Sequence, residues 1–448
     1  MLNLNSNKII KLDYVLIFFI CSLPLVLISG PFLPDLFVVL SGLIFIYLMF
    51  KKKILFNFFN KYVFLLLSFY LVSIISSFLS NNIIMSFESS LFYFRFYFLP
   101  LVMFYLLLKF ESKLISLICI ILYISLIIIF ISILYEGFLN GFNDPQYSGL
   151  FGDEHIAGSF TSRFYPLIVC LTFFIISEDN KYLPYILALV IIMSSLILLL
   201  SGERASIVYF FISNLFFLFF LPKFKNIFLI IFSALILILS VNISNIKSID
   251  RIINKTYDQI FTSINGQNPS LVAFSPHHQS HYLTAYKMFK HNPIIGIGPK
   301  LFREECDHDK YFSRFKWVPY NLVDNNGPIP REYIRPFGVT GRWISGCSTH
   351  PHNSYMQLLA ETGVIGFGIF LFFFIMVFSK MIRECKNFYQ KIYKKNKHHY
   401  ILFSSLLSIF ISLFPLIPTG SIFNNWVNVV YYFPIGLLIY SLNKTKLR

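Results

Sequence analysis

Long apolar runs alternate with short polar segments along most of the chain. About 20 apolar residues suffice for a helix to cross a bilayer. Runs of this kind occupy 14–30, 31–50, 62–80, 91–108, 114–136, 156–176, 183–200, 205–221, 226–242, 353–379, 400–417 and 426–442. Only 13% of the residues are charged, about half the share found in soluble domains. The pattern predicts an all-α polytopic membrane protein with about twelve spanning helices.

Basic residues gather in alternate loops between these runs. They follow the second, fourth, eighth and tenth runs and close the chain, whereas the loops "SNNIIMSFESS", "GFNDPQYSGLFGDEH" and "PTGSIFNN" contain no Lys or Arg. Cytoplasmic loops of membrane proteins carry this excess of positive charge. We therefore expect both termini to be cytoplasmic, and the net charge of +16 needs no nucleic acid as a partner.

The polar stretch 243–352 separates two groups of apolar runs. We interpret 1–242 as nine spans, 243–352 as a large external loop and 353–448 as three spans. Turn-forming residues are frequent in the loop, and "HYLTAYKMFK" has apolar residues at helical spacing, which predicts a short helix ending before Pro293. Cys306 and Cys347 both lie in this loop, where an oxidising compartment favours a disulfide between them.

The stretch "STHPHNSYMQLLAETGVIG" begins the tenth apolar run with polar, titratable residues. His352 and Asn353 stand at a predicted helix start, whose free N–H groups and dipole suit an anion. A histidine there can exchange protons near neutral pH. Gly363 and Gly366, three residues apart, permit the close approach of a neighbouring helix. The alternative is that the histidines are interfacial polar residues or helix caps.

Three arginines fall near the predicted external ends of spans: Arg95, Arg163 and Arg204. Placing a charged side chain within a membrane costs free energy, so the presence of these arginines requires a structural or functional explanation. Guanidinium groups match phosphate oxygens two at a time and stay charged. The alternative is structural ion pairing with Glu203, Glu154 or Glu88. We favour the ion pair for Arg95 and phosphate binding for Arg204.

Two acidic clusters raise the question of a metal. "CDHDKY" places Asp307 and Asp309 beside His308, and "GDEH" covers 152–155. Short acidic patterns of this kind are common in polar loops. The chain has no Cys-x-x-Cys zinc-binding spacing and no P-loop or dinucleotide fingerprint in a suitable context. We therefore expect neither a metal nor a cofactor.

These motifs together resemble the O-antigen ligase and O-antigen polymerase superfamily of bacterial inner-membrane glycosyltransferases. The similarity consists of a His-Asn pair, nine intervening residues and Gly-x-x-Gly, met here by His352, Asn353, Gly363 and Gly366. It extends to "SGERAS" before the eighth run and to "NPIIGIGPKLF" in the loop. The resemblance implies a large periplasmic loop between the ninth and tenth spans.

The resemblance also implies an activity. It is a metal-independent, inverting transfer of a glycan from an undecaprenyl-diphosphate carrier to an acceptor hydroxyl, such as one on lipid A core. His352 falls on the position of the general base, and Arg204 on an arginine that contacts the diphosphate. Arg163 is a further candidate. Family members usually carry another arginine upstream of the loop's Asn-Pro, where this chain has "SPHHQSHY". Candidate replacements are His278, His281 and Arg303.

Other functions remain open at this stage. A polymerase of carrier-linked repeats or a protein oligosaccharyltransferase could use the same residues. A transporter of lipid-linked sugar would also contact membrane lipids, but it predicts charges or helix breaks near the middle of several spans. Most of the apolar runs here are uninterrupted, which favours an enzyme.

Overall fold

The computed structural model describes residues 2–52, 61–240, 246–264, 270–271, 273–319, 342–390 and 396–446. Its helices are α1 (Leu2–Val26), α2 (Phe32–Lys52), α3 (Lys61–Phe78), α4 (Ile83–Leu91), α5 (Arg95–Leu139), α6 (Ala157–Ile175), α7 (Leu183–Ser201), α8 (Arg204–Phe220), α9 (Lys225–Ser240), α10 (Lys247–Ile260), α11 (Pro276–His291), α12 (Phe302–Glu305), α13 (Ser354–Tyr389), α14 (Lys397–Ser412) and α15 (Asn425–Lys446). The boundary predicted at 242 lies outside the described residues.

The all-α polytopic class is confirmed, whereas the count of twelve spans is not. Seven helical segments of the described chain are long and apolar enough to cross a membrane, or eight if α8 and the start of α9 form one span bent by 109°. The predicted spans 91–108 and 114–136 correspond to the two parts of α5, which a non-helical residue, Phe110 (φ −130°, ψ 31°), separates. With 16 residues each, α9 and α14 are shorter than a full span.

Helix α6 lies at the centre of the bundle. All of its residues from Ala157 to Phe174 are buried except Ser159, and it packs against α5, α7, α8 and α14. A helix that is buried all round is typical of the core of a large or membrane protein. This position makes α6 a fixed support for Arg163, the arginine on its second turn.

One end of the bundle collects the loops that were predicted to be cytoplasmic. Its contacts are Lys109 with Asp13, Lys223 with Asp179 (2.7 Å), Lys380 with Glu384 (2.7 Å), His399 with Glu384 (3.3 Å) and His398 with Glu111 (3.2 Å). Tyr400 of α14 also donates to Glu178, next to Asp179. We call this the lysine end, and the opposite end, where α6, α8 and α13 begin, the site end.

The described part of the predicted loop contains helices α10, α11 and α12 and a small antiparallel sheet. The strands β1 (Phe261–Ile264), β2 (Ser270–Leu271), β3 (Arg314–Pro319) and β4 (Arg342–Ser345) are arranged in the order β2-β1-β3-β4. Phe315 pairs with Ile344 in the register of β3 and β4. The predicted helix before Pro293 is confirmed as α11. It begins earlier than expected, at Pro276, because the hydroxyl of Ser275 caps it by accepting from the His278 N–H.

Helix α13 is broken at Gly363, which has φ 63° and ψ −166°. Loop residues 293–298 lie in the break: the N–H groups of Ile297 and Gly298 donate to the carbonyls of Ala360 and Glu361 at 2.9 and 3.0 Å. A Cβ on Gly363 would lie 2.3 Å from the carbonyl oxygen of Ile294. The prediction that Gly363 receives a neighbouring helix is therefore wrong, since its neighbour is a loop.

Gly366 has a different neighbour. A Cβ at this position would lie 2.2 Å from the hydroxyl oxygen of Thr362, on the same helix. Thr362 in turn donates to the carbonyl of Leu358 at 2.8 Å. The two glycines therefore shape the break within α13 and do not form a helix-packing face.

Candidate active site

His352 is held at the start of α13 in an unusual backbone conformation. Its φ of 55° lies in the left-handed region, which non-glycine residues rarely adopt. The carbonyl of His352 accepts from the Thr419 N–H at 2.9 Å, and the Asn353 amide donates to the carbonyl of Pro415 at 2.8 Å. The loop between α14 and α15 thus fixes the histidine, and such local strain is typical of functional sites.

Asn353 caps the helix that follows. Its side-chain oxygen accepts from the N–H groups of Tyr355 at 2.9 Å and Met356 at 3.1 Å. These are the groups that the sequence suggested for an anion, so that part of the prediction is wrong: a side chain of the protein already satisfies them. An anion at this end must be bound by other groups.

Four further histidines surround His352 and form, with it, the histidine cluster. Helix α11 contributes His277, His278 and His281, and the segment before α13 contributes His350. The ring centroid of His352 lies 5.6 Å from that of His278, 5.4 Å from His281 and 4.2 Å from His350. The Ser348 hydroxyl lies 3.2 Å from Nε2 of His352. One loop helix and the start of α13 therefore meet at His352.

Burial favours the uncharged form of four of these histidines, His278, His281, His350 and His352. It lowers the pKa of His278 to about 3, that of His281 to about 4 and that of His350 to about 3, and repulsion between the imidazoles adds to each shift. The pKa of His352 is lowered too, first by burial and then by His277. A neutral imidazole can accept a proton, so the cluster is in the protonation state that a base requires.

Glu203 is bound by another helix rather than by an arginine. Its carboxylate accepts from the N–H groups of Gly158 at 2.6 Å and Ser159 at 3.0 Å, in the first turn of α6. The Ser206 hydroxyl donates to it at 3.1 Å. Burial raises the pKa of Glu203 to about 7 against the effect of these hydrogen bonds. Glu203 therefore occupies the anion position of α6 and caps that helix.

Arg163, Arg204 and Arg251 form a second group, the arginine cluster. Arg204 donates to Gln259 Oε1 at 2.8 Å and to Thr256 Oγ1 at 3.3 Å, both on α10. Arg163, only 6% exposed, donates to the carbonyl and hydroxyl of Ser159, and its guanidinium carbon lies 5.0 Å from the ring centroid of Tyr209.

The arginine cluster has no acidic partner within ion-pair distance. Among the described residues, no carboxylate oxygen lies within 4.0 Å of a nitrogen of Arg163, Arg204 or Arg251. The alternative of structural ion pairs with Glu203 or Glu154 therefore does not hold for Arg163 and Arg204 in this part of the chain.

Arg95 behaves differently. Its Nε lies 2.6 Å from Oδ1 of Asp35, and its Nη2 donates to Asn425 at 2.9 Å. The structural ion pair favoured for Arg95 is present, but the partner is Asp35 rather than Glu88. Arg95 thus joins α2, α5 and α15, and it is not part of the arginine cluster.

Arg303 lies in the short helix α12 and is exposed. Its charge acts on His350, whereas the charge of Arg204 acts on His278. A disulfide joins Cys306 and Cys347, whose Cα atoms are 5.0 Å apart, and it ties α12 to the segment that carries His350 and His352.

The acidic clusters considered for a metal are exposed: Asp307, His308 and Asp309 in one, Asp153, Glu154 and His155 in the other. In the described ranges, three ligand-type atoms come close together only at Cys306, Asp307 and Cys347. Two of these atoms are the disulfide sulfurs, so they offer no thiolate.

Several buried polar atoms at the site end have no hydrogen-bond partner within the described chain. They include Nε of Arg163, Nε of Arg251, Nδ1 of His281, Nε2 of His350 and the hydroxyls of Tyr209 and Tyr282. Buried polar atoms are nearly always paired, and each exception calls for an explanation. A polar, anionic ligand at this place would supply partners that the protein does not.

An apolar pocket lies elsewhere, between α3, α13, α14 and α15. Phe69, Phe370 and Leu413 are among its lining residues, and neither the histidine nor the arginine cluster lines it. Tyr355, at the start of α13, connects the site end to this pocket, since its hydroxyl donates to the carbonyl of Leu413 at 2.7 Å. The histidine and arginine clusters therefore lie at the site end and outside this pocket.

At one end of this polytopic helical bundle, neutral imidazoles lie near guanidinium groups that have no carboxylate partner among the described residues. Residues 188–371 match the family model described as O-antigen ligase. This match supports the resemblance to the O-antigen ligase and polymerase superfamily. The matched segment includes Arg204, Arg251 and the histidine cluster, whereas Arg163 precedes it. No curated protein matches the chain.

The match to this family supports the conclusion that the protein is an enzyme of the ligase or polymerase type. Such an enzyme uses a lipid-linked glycan donor and a glycan acceptor. Sequence reasoning missed two members of the site, Arg251 and His277. Both lie in polar loop segments where single charged or titratable residues are common, so neither carried a distinctive signal.

Proposed function

We propose that the protein is an O-antigen ligase-like glycosyltransferase. It transfers a glycan from an undecaprenyl-diphosphate carrier to a hydroxyl of an acceptor, lipid A core, on the periplasmic face of the bacterial inner membrane. One observation supports the proposal: inside the segment that matches the family, His352 lies in a cluster near Arg204 and Arg251, which have no carboxylate partner in the described part of the chain.

The arginine cluster would bind the donor. A lipid diphosphate is already a competent leaving group, so what it needs is stabilisation of the charge it gains when the glycosidic bond breaks. Arg204 and Arg163 supply fixed charges for this purpose, and His278 and His281 add N–H donors. Guanidinium groups form short, charge-assisted hydrogen bonds with phosphate oxygens. Because these cations stabilise the leaving group, the transfer is proposed to be independent of a metal or cofactor.

His352 would activate the acceptor. The acceptor oxygen attacks the anomeric carbon as His352 takes its proton, and the bond between that carbon and the phosphate oxygen breaks with its electron pair going to the diphosphate. The products are the new glycoside, the lipid diphosphate and protonated His352. A single displacement of this kind inverts the anomeric configuration. The lowered pKa of His352 keeps the base in its neutral form before each turnover.

The proposed orientation follows from the two ends of the bundle. Asp13 of α1 and Tyr440 of α15 lie at the lysine end, through Lys109 and His398. The positive-inside rule favours a cytoplasmic lysine end. Both termini would then be cytoplasmic, and the histidine and arginine clusters would face the periplasm, where carrier-linked glycans are used.

A reconstituted assay tests the proposal. Full-length protein in nanodiscs is incubated with an undecaprenyl-diphosphate oligosaccharide and, separately, with lipid A core, a second carrier-linked oligosaccharide or a peptide, and products are identified by mass spectrometry. We expect donor consumption and glycosylated lipid A core. Transfer to the second carrier would identify a polymerase, and transfer to the peptide a protein glycosyltransferase. An intact donor with every acceptor would reject glycosyl transfer.

A further inference from the structure

We propose that Arg251 of α10 is a third phosphate-binding residue and contacts the donor diphosphate together with Arg204. This inference rests on the proposed function and extends it to a helix of the loop. No motif in the sequence pointed to this residue.

The position of Arg251 is set by the turn between α7 and α8. Gly202 has φ 62°, and a Cβ on it would lie 2.4 Å from the Pro145 carbonyl oxygen and 3.4 Å from Cδ of Arg251. The Arg251 side chain therefore lies against the turn that leads directly into Arg204. The same helix holds Arg204 through Gln259 and Thr256. Helix α10 thus both contributes one guanidinium group and orients the other.

Arg251 lacks the partners that a structural arginine would have. Its side chain is half-buried, its Nε is buried, and no side-chain hydrogen bond or ion pair of Arg251 is present in the part of the chain that the structure describes. Removing a buried charge from water is expensive unless a partner compensates for it. The Arg251 side chain therefore has hydrogen-bonding capacity that a bound anion can use.

The neighbouring carboxylate does not fill this role. Glu203 acts on Arg251 through its charge and opposes the effect of burial, which lowers the pKa of Arg251. The Glu203 oxygens, however, already accept from Gly158, Ser159 and Ser206. A guanidinium stays charged at physiological pH. Arg251 and Arg204 are therefore two neighbouring cations without an anion that bridges them.

The charge of the expected ligand supports the same assignment. A diphosphate carries more than one negative charge, and the nearby histidines are neutral, since the pKa of His278 is about 3 and that of His281 about 4. Charge compensation must therefore come from guanidinium groups. Arg204 and Arg251 together offer two forks, which suits the two phosphates of a lipid diphosphate.

The test measures binding of farnesyl diphosphate, a short lipid diphosphate, to the full-length protein by isothermal titration calorimetry. The variants are Arg251→Ala and Arg251→Lys, and the matched control is Lys255→Ala, which removes an exposed charge from the same helix. We expect Arg251→Ala to bind about 10-fold more weakly or worse, as for loss of a hydrogen bond to a charged group. Arg251→Lys should fall between this variant and the wild type, and Lys255→Ala should bind like the wild type.

The outcomes separate the two proposals. If the wild type binds farnesyl diphosphate and Arg251→Ala binds as tightly as Lys255→Ala, the assignment of Arg251 is wrong and the proposed function stands. If the wild type binds no diphosphate, the proposed function fails and the assignment fails with it. Should Arg251→Ala not fold, Arg251→Lys decides, because wild-type affinity in that variant would contradict a two-pronged guanidinium contact.

Discussion

Cationic side chains at the two ends of the helical bundle have different partners. At the lysine end, Lys109, Lys223 and Lys380 each lie beside a carboxylate. At the site end, the three guanidinium groups of the arginine cluster meet only neutral hydrogen-bond partners or none, within the described residues. The three lysines are compensated by neighbouring carboxylates, whereas we propose that the bound donor compensates the arginine cluster.

Arg95 shows that this contrast is specific to the clusters. It also lies at the site end, yet it is paired with Asp35 and Asn425. Position at one end of the bundle therefore does not by itself leave an arginine without a carboxylate. Among the described residues, the arginine cluster without carboxylate partners lies near the histidine cluster, as the proposed binding of an anionic donor would require.

The largest effect is expected from His352→Ala. Removing a general base typically lowers a rate by about 10²–10⁴-fold. We therefore expect the transfer rate of His352→Ala to fall by this factor or to become undetectable, with unchanged membrane insertion. His308→Ala, an exposed histidine of the same loop, serves as the imidazole control. Turnover of purified His352→Ala close to that of the control would remove the base assignment.

Arg204→Ala should mainly affect the donor. Loss of a charge-assisted hydrogen bond is worth about 1.5–3 kcal/mol, which corresponds to roughly a 10- to 100-fold rise in the donor dissociation constant. Lys223→Ala at the lysine end breaks a solvent-exposed ion pair, which contributes little to stability, and should leave donor binding unchanged. Equal donor affinities in the two variants would contradict the claim that Arg204, unlike Lys223, binds the donor.

Gly363→Ala tests the break in α13. A non-glycine residue at φ 63° costs about 1–3 kcal/mol, and the new Cβ would also clash with the Ile294 carbonyl. We expect a lower Tm in nanodiscs and reduced activity, since the break positions the loop beside the site. Gly368→Ala has open space around its Cβ and provides the control. The same Tm for both variants would mean that the loop does not depend on the break.

The smallest expected effect is a shift in the pH profile. His352 must be neutral to accept a proton, and its pKa lies below the ordinary value of 6.5 because of burial and then of the charge of His277. The rings of His278, His281 and His350 also face it. Activity should therefore persist below pH 6.5 and fall only as the pH drops through this lowered pKa. A plot of kcat/KM with an acidic midpoint at or above 6.5 would contradict this environment.

Sequence patterns predicted the features that depend on composition and spacing. Apolar run lengths gave the all-α membrane class, and helical spacing gave α11. These patterns did not predict the break in α13 at Gly363, because an apolar run has the same sequence pattern whether a glycine within it is helical or left-handed.

Charge partners were the hardest feature to predict. Glu203 precedes Arg204 in the sequence, which suggested an ion pair, but adjacent residues near a helix start point in different directions. The structure directs Glu203 to the first turn of α6 and Arg204 to α10. Arg251 reaches Arg204 only through the folding of the loop, so no local pattern could reveal it.

A structure of the full-length protein with undecaprenyl diphosphate tests the central claim most directly. The account predicts phosphate oxygens within about 3 Å of the Arg204 guanidinium nitrogens, with the carrier's reactive end directed towards His352. A diphosphate bound at the lysine end, or at the site end without contact to the arginine cluster, would contradict it.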